Sequence, residues 1–152
     1  MKFLFTTAFL SAVLLSSISV SVNAQGFNLN DHKWKDRVLL IFSPNTYTHH
    51  YRDQVRELKS AKNGIQERDL KVYHILQESS ASVKGEIIEG EETDPLLSEF
   101  DVSPSEYTVI LIGKDGTEKL RTNETLSARR LFKEIDAMPM RKLEMKEKGE
   151  EN

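Results

Sequence analysis

The sequence predicts an α/β domain built as a three-layer sandwich, with a mixed central sheet flanked by helices. Three observations predict it. Two apolar runs, Arg37–Phe42 and Leu70–Leu76, stand on either side of a stretch with helical periodicity. Runs of that length bounded by turn residues read as strands buried on both faces, and strand, helix, strand is the succession that joins parallel strands. A third apolar run, Tyr107–Ile112, passes through Gly113-Lys114-Asp115-Gly116 into Thr117–Arg121, the pattern of an antiparallel hairpin.

The chain opens with Lys2 and a mostly apolar run from Phe3 to Val20, followed by Val22 and Ala24 as the small residues of a processing site. Residues 1–24 therefore read as a signal peptide cleaved before Gln25. A retained membrane anchor is the weaker reading, because the run is short, interrupted by Thr and Ser, and followed by that pattern. The mature chain is then exported, periplasmic or secreted. It keeps 128 of the 152 residues, with 20 Lys and Arg against 24 Asp and Glu, a formal charge of −4. Such a length suits one core, here placed at 25–140, with a charged and fraying tail at 141–152. No basic stripe tracks a phosphate backbone, so nucleic acid is not an expected partner. No further stretch is long and apolar enough to span a membrane after the signal is removed.

In the lead-in, Gly26–Lys35, the large apolar residues are Phe27, Leu29 and Trp34, and Trp34 is expected to pin it to the body. The first strand stops at Pro44-Asn45. Tyr51, Val55, Leu58 and Ile65 then recur at helical spacing, entered after Asn45, Thr46 or Thr48 as cap and closed by Asn63-Gly64. Gln77–Glu92 is polar, with Val83 and Ile87-Ile88 as short-strand or contact residues. Asp94-Pro95 starts a short helix through Phe100. After the hairpin, Ala128, Leu131, Ile135 and Met138 line one face of a last helix that Pro139 ends.

The order βαβ, short helix, hairpin, helix is that of a thioredoxin-like domain. The chain also resembles the domain of unknown function family 4174, on D-H-K-W-K-D-R-V-L-L-I-F-S-P at 31–44, L-I-G-K-D-G-T-E-K-L-R at 111–121 and L-F-K-E-I-D-A-M-P-M-R-K-L-E-M at 131–145. Within the last, I-D-A-M-P-M-R is the most specific, because periodicity does not require it. That family is similar to the domain of sushi-repeat-containing extracellular proteins and of a coiled-coil-domain protein of the extracellular matrix. The resemblance implies a thioredoxin-like or peroxiredoxin-like fold in an exported setting, with no settled activity and no agreed catalytic residues.

The chain has no cysteine. That excludes thiol–disulfide exchange, peroxide reduction by a thiolate, zinc–thiolate sites and Cys–His hydrolysis. Where a thioredoxin presents Cys-x-x-Cys at a helix N-terminus, this chain has Ser43-Pro44-Asn45-Thr46-Tyr47. Where it presents a cis-proline, this chain has Tyr107-Thr108, with Pro104 earlier.

Ser43, Asn45, Thr46, His49 and Tyr107 are thus the candidate contacts for a ligand or partner. A helix N-terminus offers unpaired N–H groups and a positive dipole end to a small anion or carboxylate, while ordinary capping is the simpler reading. His49 and Asp53 share a face, but two ligands alone make a poor metal site. Ser43 has neither a G-x-S-x-G elbow nor a visible base. His74 reads as a core histidine; Asp36, Arg37, Lys114 and Asp115 read as edge and turn charges; and Arg141, Lys142 and Glu144 read as a solvated face. No catalytic residue, metal or cofactor is assigned. The expected function is a non-catalytic binding module for a protein or surface component. The alternative is a non-thiol enzyme, or a small-anion or metal-binding protein, using the start of the first helix.

Overall fold

The computed structural model describes residues 27–78 and 86–149. The signal peptide expected at 1–24 and the end of the chain lie outside the described residues. Five strands form one sheet in the order β3-β2-β1-β4-β5: β1 Arg37–Asn45, β2 Leu70–Glu78, β3 Glu86–Glu89, β4 Thr108–Ile112 and β5 Glu118–Thr122. β2 runs parallel to both β1 and β3, whereas β4 is antiparallel to β1 and to β5. The helices are α1 His49–Ser60, α2 Lys62–Glu67, α3 Thr93–Glu99, α4 Ala128–Asp136 and α5 Pro139–Glu147.

The apolar runs are continuous because both faces of the sheet are covered. Alternate side chains of β1 feed different cores. Leu39 and Ile41 join Val109 and Leu111 of β4 beneath Tyr51 and Leu58 of α1 and Leu131 and Ile135 of α4. Val38, Leu40 and Phe42 join Ile75, Ile110 and Ile112 beneath Leu96, Leu97 and Phe100. Each such buried side chain contributes roughly 1.5–3 kcal/mol of transfer free energy. The three-layer α/β sandwich expected from the sequence is the fold observed.

Several boundaries differ for identifiable reasons. β1 continues through Pro44 to Asn45, because its pairing with β4 ends at Phe42 while that with β2 runs on to Asn45. Pro44 therefore sits where one side of the strand is unpaired and its missing N–H costs no sheet bond. Asn63-Gly64 does not close a helix: the break is at Ala61, and both residues lie inside α2. Gly64 is required by packing, since a Cβ there would stand 2.5 Å from the Phe132 ring, which also carries Arg68 stacked 4.3 Å above its centre. Trp34 does not pin the lead-in with its side chain, which is 64% exposed. Its backbone N–H donates to the Lys114 carbonyl at 2.6 Å. Phe27 and His32 make the side-chain anchor instead. The Phe27 ring meets Tyr73 edge-on at 4.6 Å, and His32 links the Tyr73 hydroxyl (2.8 Å) to Asp36 (3.0 Å). Phe27, His32 and Tyr73 wall a cleft of about 250 Å³ with Asp31 and Glu86.

The largest departure concerns residues 141–147, placed by the sequence in a fraying tail. They form the body of α5, and Arg141 is 1% exposed. Arg37, also 1% exposed, is no edge charge. Its guanidinium donates to Glu144 at 3.0 Å and to the Arg68 carbonyl at 2.9 Å. Arg141 pairs with Glu67 at 2.5 Å and Asp136 at 3.3 Å, Arg68 with Asp136 at 2.7 Å, and Lys114 with Glu144 and Asp69, both at 2.9 Å. Four cations meet four carboxylates, so the cluster is neutral and its members compensate one another's lost hydration. Periodicity does not reveal this, because the charges come from five separated segments.

Burial alone raises the Asp136 carboxyl, but hydrogen bonds and charge from Arg68 and Arg141 outweigh it and hold it below the usual carboxylate range. Arg37 and Lys114 do the same for Glu144. A carboxyl lowered by folding stabilises the native state above its unfolded value, near 4, and that gain is lost as pH falls through the folded value. Arg141→Met is expected to destabilise at neutral pH by about 2 kcal/mol, short of the ~3–5 of a fully buried pair because Glu67 is half exposed and Asp136 keeps Arg68. The same substitution is expected to flatten the loss of stability below about pH 4, measured by urea unfolding across pH.

Candidate functional site at the C-terminal end of β1

The register that pairs Phe42 with Thr108 brings Ser43 and Tyr107 to the same end of the sheet, where α1 begins. Ser43 is buried, and its hydroxyl donates to the Asn45 carbonyl at 2.7 Å and lies 3.0 Å from the Thr48 hydroxyl. Thr48 is the N-cap residue of α1, yet its side chain caps nothing because it is engaged with Ser43. The Asn45 side chain accepts from the Tyr47 N–H at 2.9 Å, an Asx turn that carries the chain from strand to helix. Thr46 is buried, and its Oγ1 has no hydrogen-bond partner. His49 is 84% exposed and pairs with Asp53 at 3.2 Å. Among the described residues, no group of three His, Cys, Asp or Glu side chains stands close enough to hold a metal.

Tyr107 faces the other way. Its ring is buried beneath His50, stacked at 5.4 Å, and its hydroxyl donates to the Gln54 side-chain oxygen at 3.2 Å. Gln54 is fully buried although it lies among the polar positions of α1. Its oxygen also accepts from the Leu126 N–H at 2.7 Å, and its amide donates to the Leu126 carbonyl at 3.0 Å. It satisfies both backbone groups of a residue that no strand pairs, which holds the segment before α4 against α1. Of the candidate residues, Ser43, Asn45 and Thr46 share the turn. Tyr107 lies behind them with its hydroxyl turned to Gln54, and His49 stands outside. They do not converge on a common atom.

Sequence reasoning missed two buried polar contacts here. One is Gln54, whose signal was only an amide among charged neighbours. The other is the pair of Tyr51 and His74, 3.0 Å apart. Burial lowers the His74 ring to about 4 and raises the Tyr51 hydroxyl to about 12, so both are neutral near pH 7. A neutral ring with Nδ1 unprotonated accepts the phenol hydrogen. A hydroxyl held that high is no nucleophile, and an imidazole held that low is protonated only in acid. Burial also raises the Tyr107 hydroxyl, with the Tyr51 and Asp53 charges adding to it. The arrangement orders a core and does not activate a nucleophile.

Residues 28–144 match the model of a family described as a domain of unknown function, DUF4174. The chain belongs to the DUF4174 family. It is 27% identical over 140 residues to the sushi repeat-containing protein SRPX2 of Xenopus laevis, a match covering 89% of this chain and 31% of that protein, so the chain spans less than a third of that relative's length. In fold, the DUF4174 domain is similar to the reduced 2-Cys peroxiredoxin of Plasmodium vivax, with a TM-score of 0.59 and 19% identity over 80% of this chain and 85% of that one. It is also similar to the exposed lipoprotein thioredoxin of Streptococcus pneumoniae, with a TM-score of 0.58 and 15% identity over 74% and 91% of the two chains. The thioredoxin-like fold is therefore present in a chain without cysteine.

The low value of His74 has a pH signature. Its unfolded ring binds a proton near pH 6.5 and the folded ring only near 4, so the unfolded state holds more protons between these values and stability rises with pH across them. The difference is on the order of 3 kcal/mol. Replacing His74 with Gln is expected to remove the part of the stability loss that wild type shows between pH 6.5 and 4, measured as the shift in urea midpoint.

Proposed function

We propose that this DUF4174 domain is an exported, non-catalytic interaction module whose contact face is the start of α1. The carrying observation is the state of the Ser43–Thr48 turn. Its Ser and Thr hydroxyls are bonded to each other, while the N-terminus of α1 has no side-chain cap and Thr46 Oγ1 has no partner. A buried hydroxyl without a partner and an uncapped helix start suit an incoming acceptor such as a carboxylate. Tyr47, 69% exposed, and His49 stand at the rim, and an exposed aromatic flanked by polar groups is the composition of a protein contact.

Export is supported by the leader-like first 24 residues and by the sushi-repeat name of the relative. Among the described residues, no helix is long and apolar enough to cross a membrane. The partner is a protein or surface component presenting an acidic group.

Immobilised wild-type domain is expected to retain a component of the exported fraction of its source cell. Retention is expected to fall at least fivefold with Tyr47→Ser and with the near-isosteric Thr46→Val. If nothing is enriched over an unrelated exported domain, or if both variants retain the component undiminished, the α1 face is not a binding surface.

A further inference from the structure

α2, Lys62–Glu67, carries the chain's single Asn-Gly pair, Asn63-Gly64. We propose that this pair is a site of spontaneous backbone modification, at which Asn63 loses its amide and becomes aspartate or isoaspartate, and that the isoaspartyl form cannot rebuild the seat of α2 on α4.

The reaction needs only the chain and water. The Gly64 amide nitrogen gives up its proton to hydroxide and attacks the side-chain carbonyl carbon of Asn63. A nitrogen–carbon bond forms, the side-chain nitrogen takes a proton from water and leaves as ammonia, and a five-membered succinimide results. Water then opens the ring at either carbonyl. One opening gives aspartate. The other routes the backbone through the side chain, giving isoaspartate and a main chain longer by one methylene. Glycine is the follower that hinders the attack least, because it has no Cβ and rotates most freely.

The structure leaves the pair open to this chemistry. Asn63 is exposed, so water and hydroxide reach its amide. The Ile65 N–H donates to the Ala61 carbonyl at 3.1 Å as the first bond of α2, and no side chain caps the helix. The attacking Gly64 nitrogen is therefore one of the helix-start amides that the ladder does not engage. Attack requires Asn63 to leave its helical backbone angle, so α2 must open first. It has six residues and none of them is buried, and a short element with so little burial opens locally at low cost.

Gly64 makes the outcome structural. A Cβ on it would stand 2.5 Å from the Phe132 ring, and its carbonyl accepts from Arg68 at 3.1 Å. The Arg68 guanidinium in turn lies 4.3 Å above the centre of that ring and pairs with Asp136 at 2.7 Å. A backbone longer by a methylene just before Gly64 cannot keep both the ring contact and the carbonyl bond. Isoaspartate at 63 thus lifts α2 from α4 and loosens the Arg68 member of the buried charge cluster. Aspartate at 63 adds only an exposed charge beside Lys62.

The purified protein is held folded at mildly alkaline pH and physiological temperature, and samples are digested and mapped over weeks. Asn63 is expected to convert at least tenfold faster than Asn45 or Asn123, with isoaspartate as the larger product. Urea well short of the unfolding transition is expected to leave that rate unchanged, because opening α2 exposes little surface. Aged wild type is expected to unfold at lower urea than fresh protein. Asn63→Asp, which adds the charge without the methylene, is expected to unfold where fresh wild type does. Asn63→Gln, whose cyclisation would need a six-membered ring, is expected to age without either change. Conversion no faster than at Asn45 or Asn123, a rate that climbs steeply with low urea, isoaspartyl protein as stable as fresh protein, or an equal loss in Asn63→Asp overturns the proposal.

Discussion

The structure depends on β1 being buried along almost its whole length on both faces. Arg37 to Ser43 are all buried, with β2 hydrogen-bonded on one side and β4 on the other. Such a strand has an ambiguity that a half-exposed strand lacks. When both faces are apolar, a slip by one residue exchanges one set of aliphatic side chains for another at little cost, so the apolar middle does not specify its own register. The polar ends do. A one-residue slip would turn the Arg37 guanidinium away from Glu144 and the Ser43 hydroxyl away from Thr48. An uncompensated buried guanidinium costs several kcal/mol, more than the aliphatic exchange could recover. Arg37 and Ser43 are in this sense the register marks of the central strand.

That division explains which parts of the fold were legible in the sequence. Apolar runs and helical spacing announce layers, because a covered sheet and an amphipathic helix leave a period in the chain. β1, β2, β4, α1 and α4 were all legible on that ground. What leaves no period is a contact between single polar residues far apart in sequence. Arg37 and Glu144 are 107 residues apart, and Gln54 and Leu126 are 72 apart. Read singly, Arg37 is an edge charge and Arg141 belongs to a solvated tail, and only the folded chain makes them a buried pair of cations. Gly64 is similar. Its sequence neighbourhood suggests a helix end, while its reason is the Phe132 ring from α4.

The candidate site was legible in position and not in arrangement. Strand followed by helix locates the turn after β1, and the missing cysteines show that its chemistry cannot be a thiol's. Which hydroxyls are spent internally is a matter of side-chain geometry. Ser43 and Thr48, five residues apart, find each other only because the Asx turn at Asn45 reverses the chain between them. Thr46, between the two, is then left buried without a partner.

The two ends of β1 are held by different kinds of contact. At its start, the charges are balanced four against four and tie α5 to the sheet. At its finish, pairing to β4 has ceased, Pro44 interrupts the amide pattern, and the turn is held by a few hydroxyl and amide bonds. A short polar turn with an exposed aromatic at its rim favours a partner surface that supplies its own order. The thioredoxin-like scaffold thus holds both ends in fixed relation through one strand.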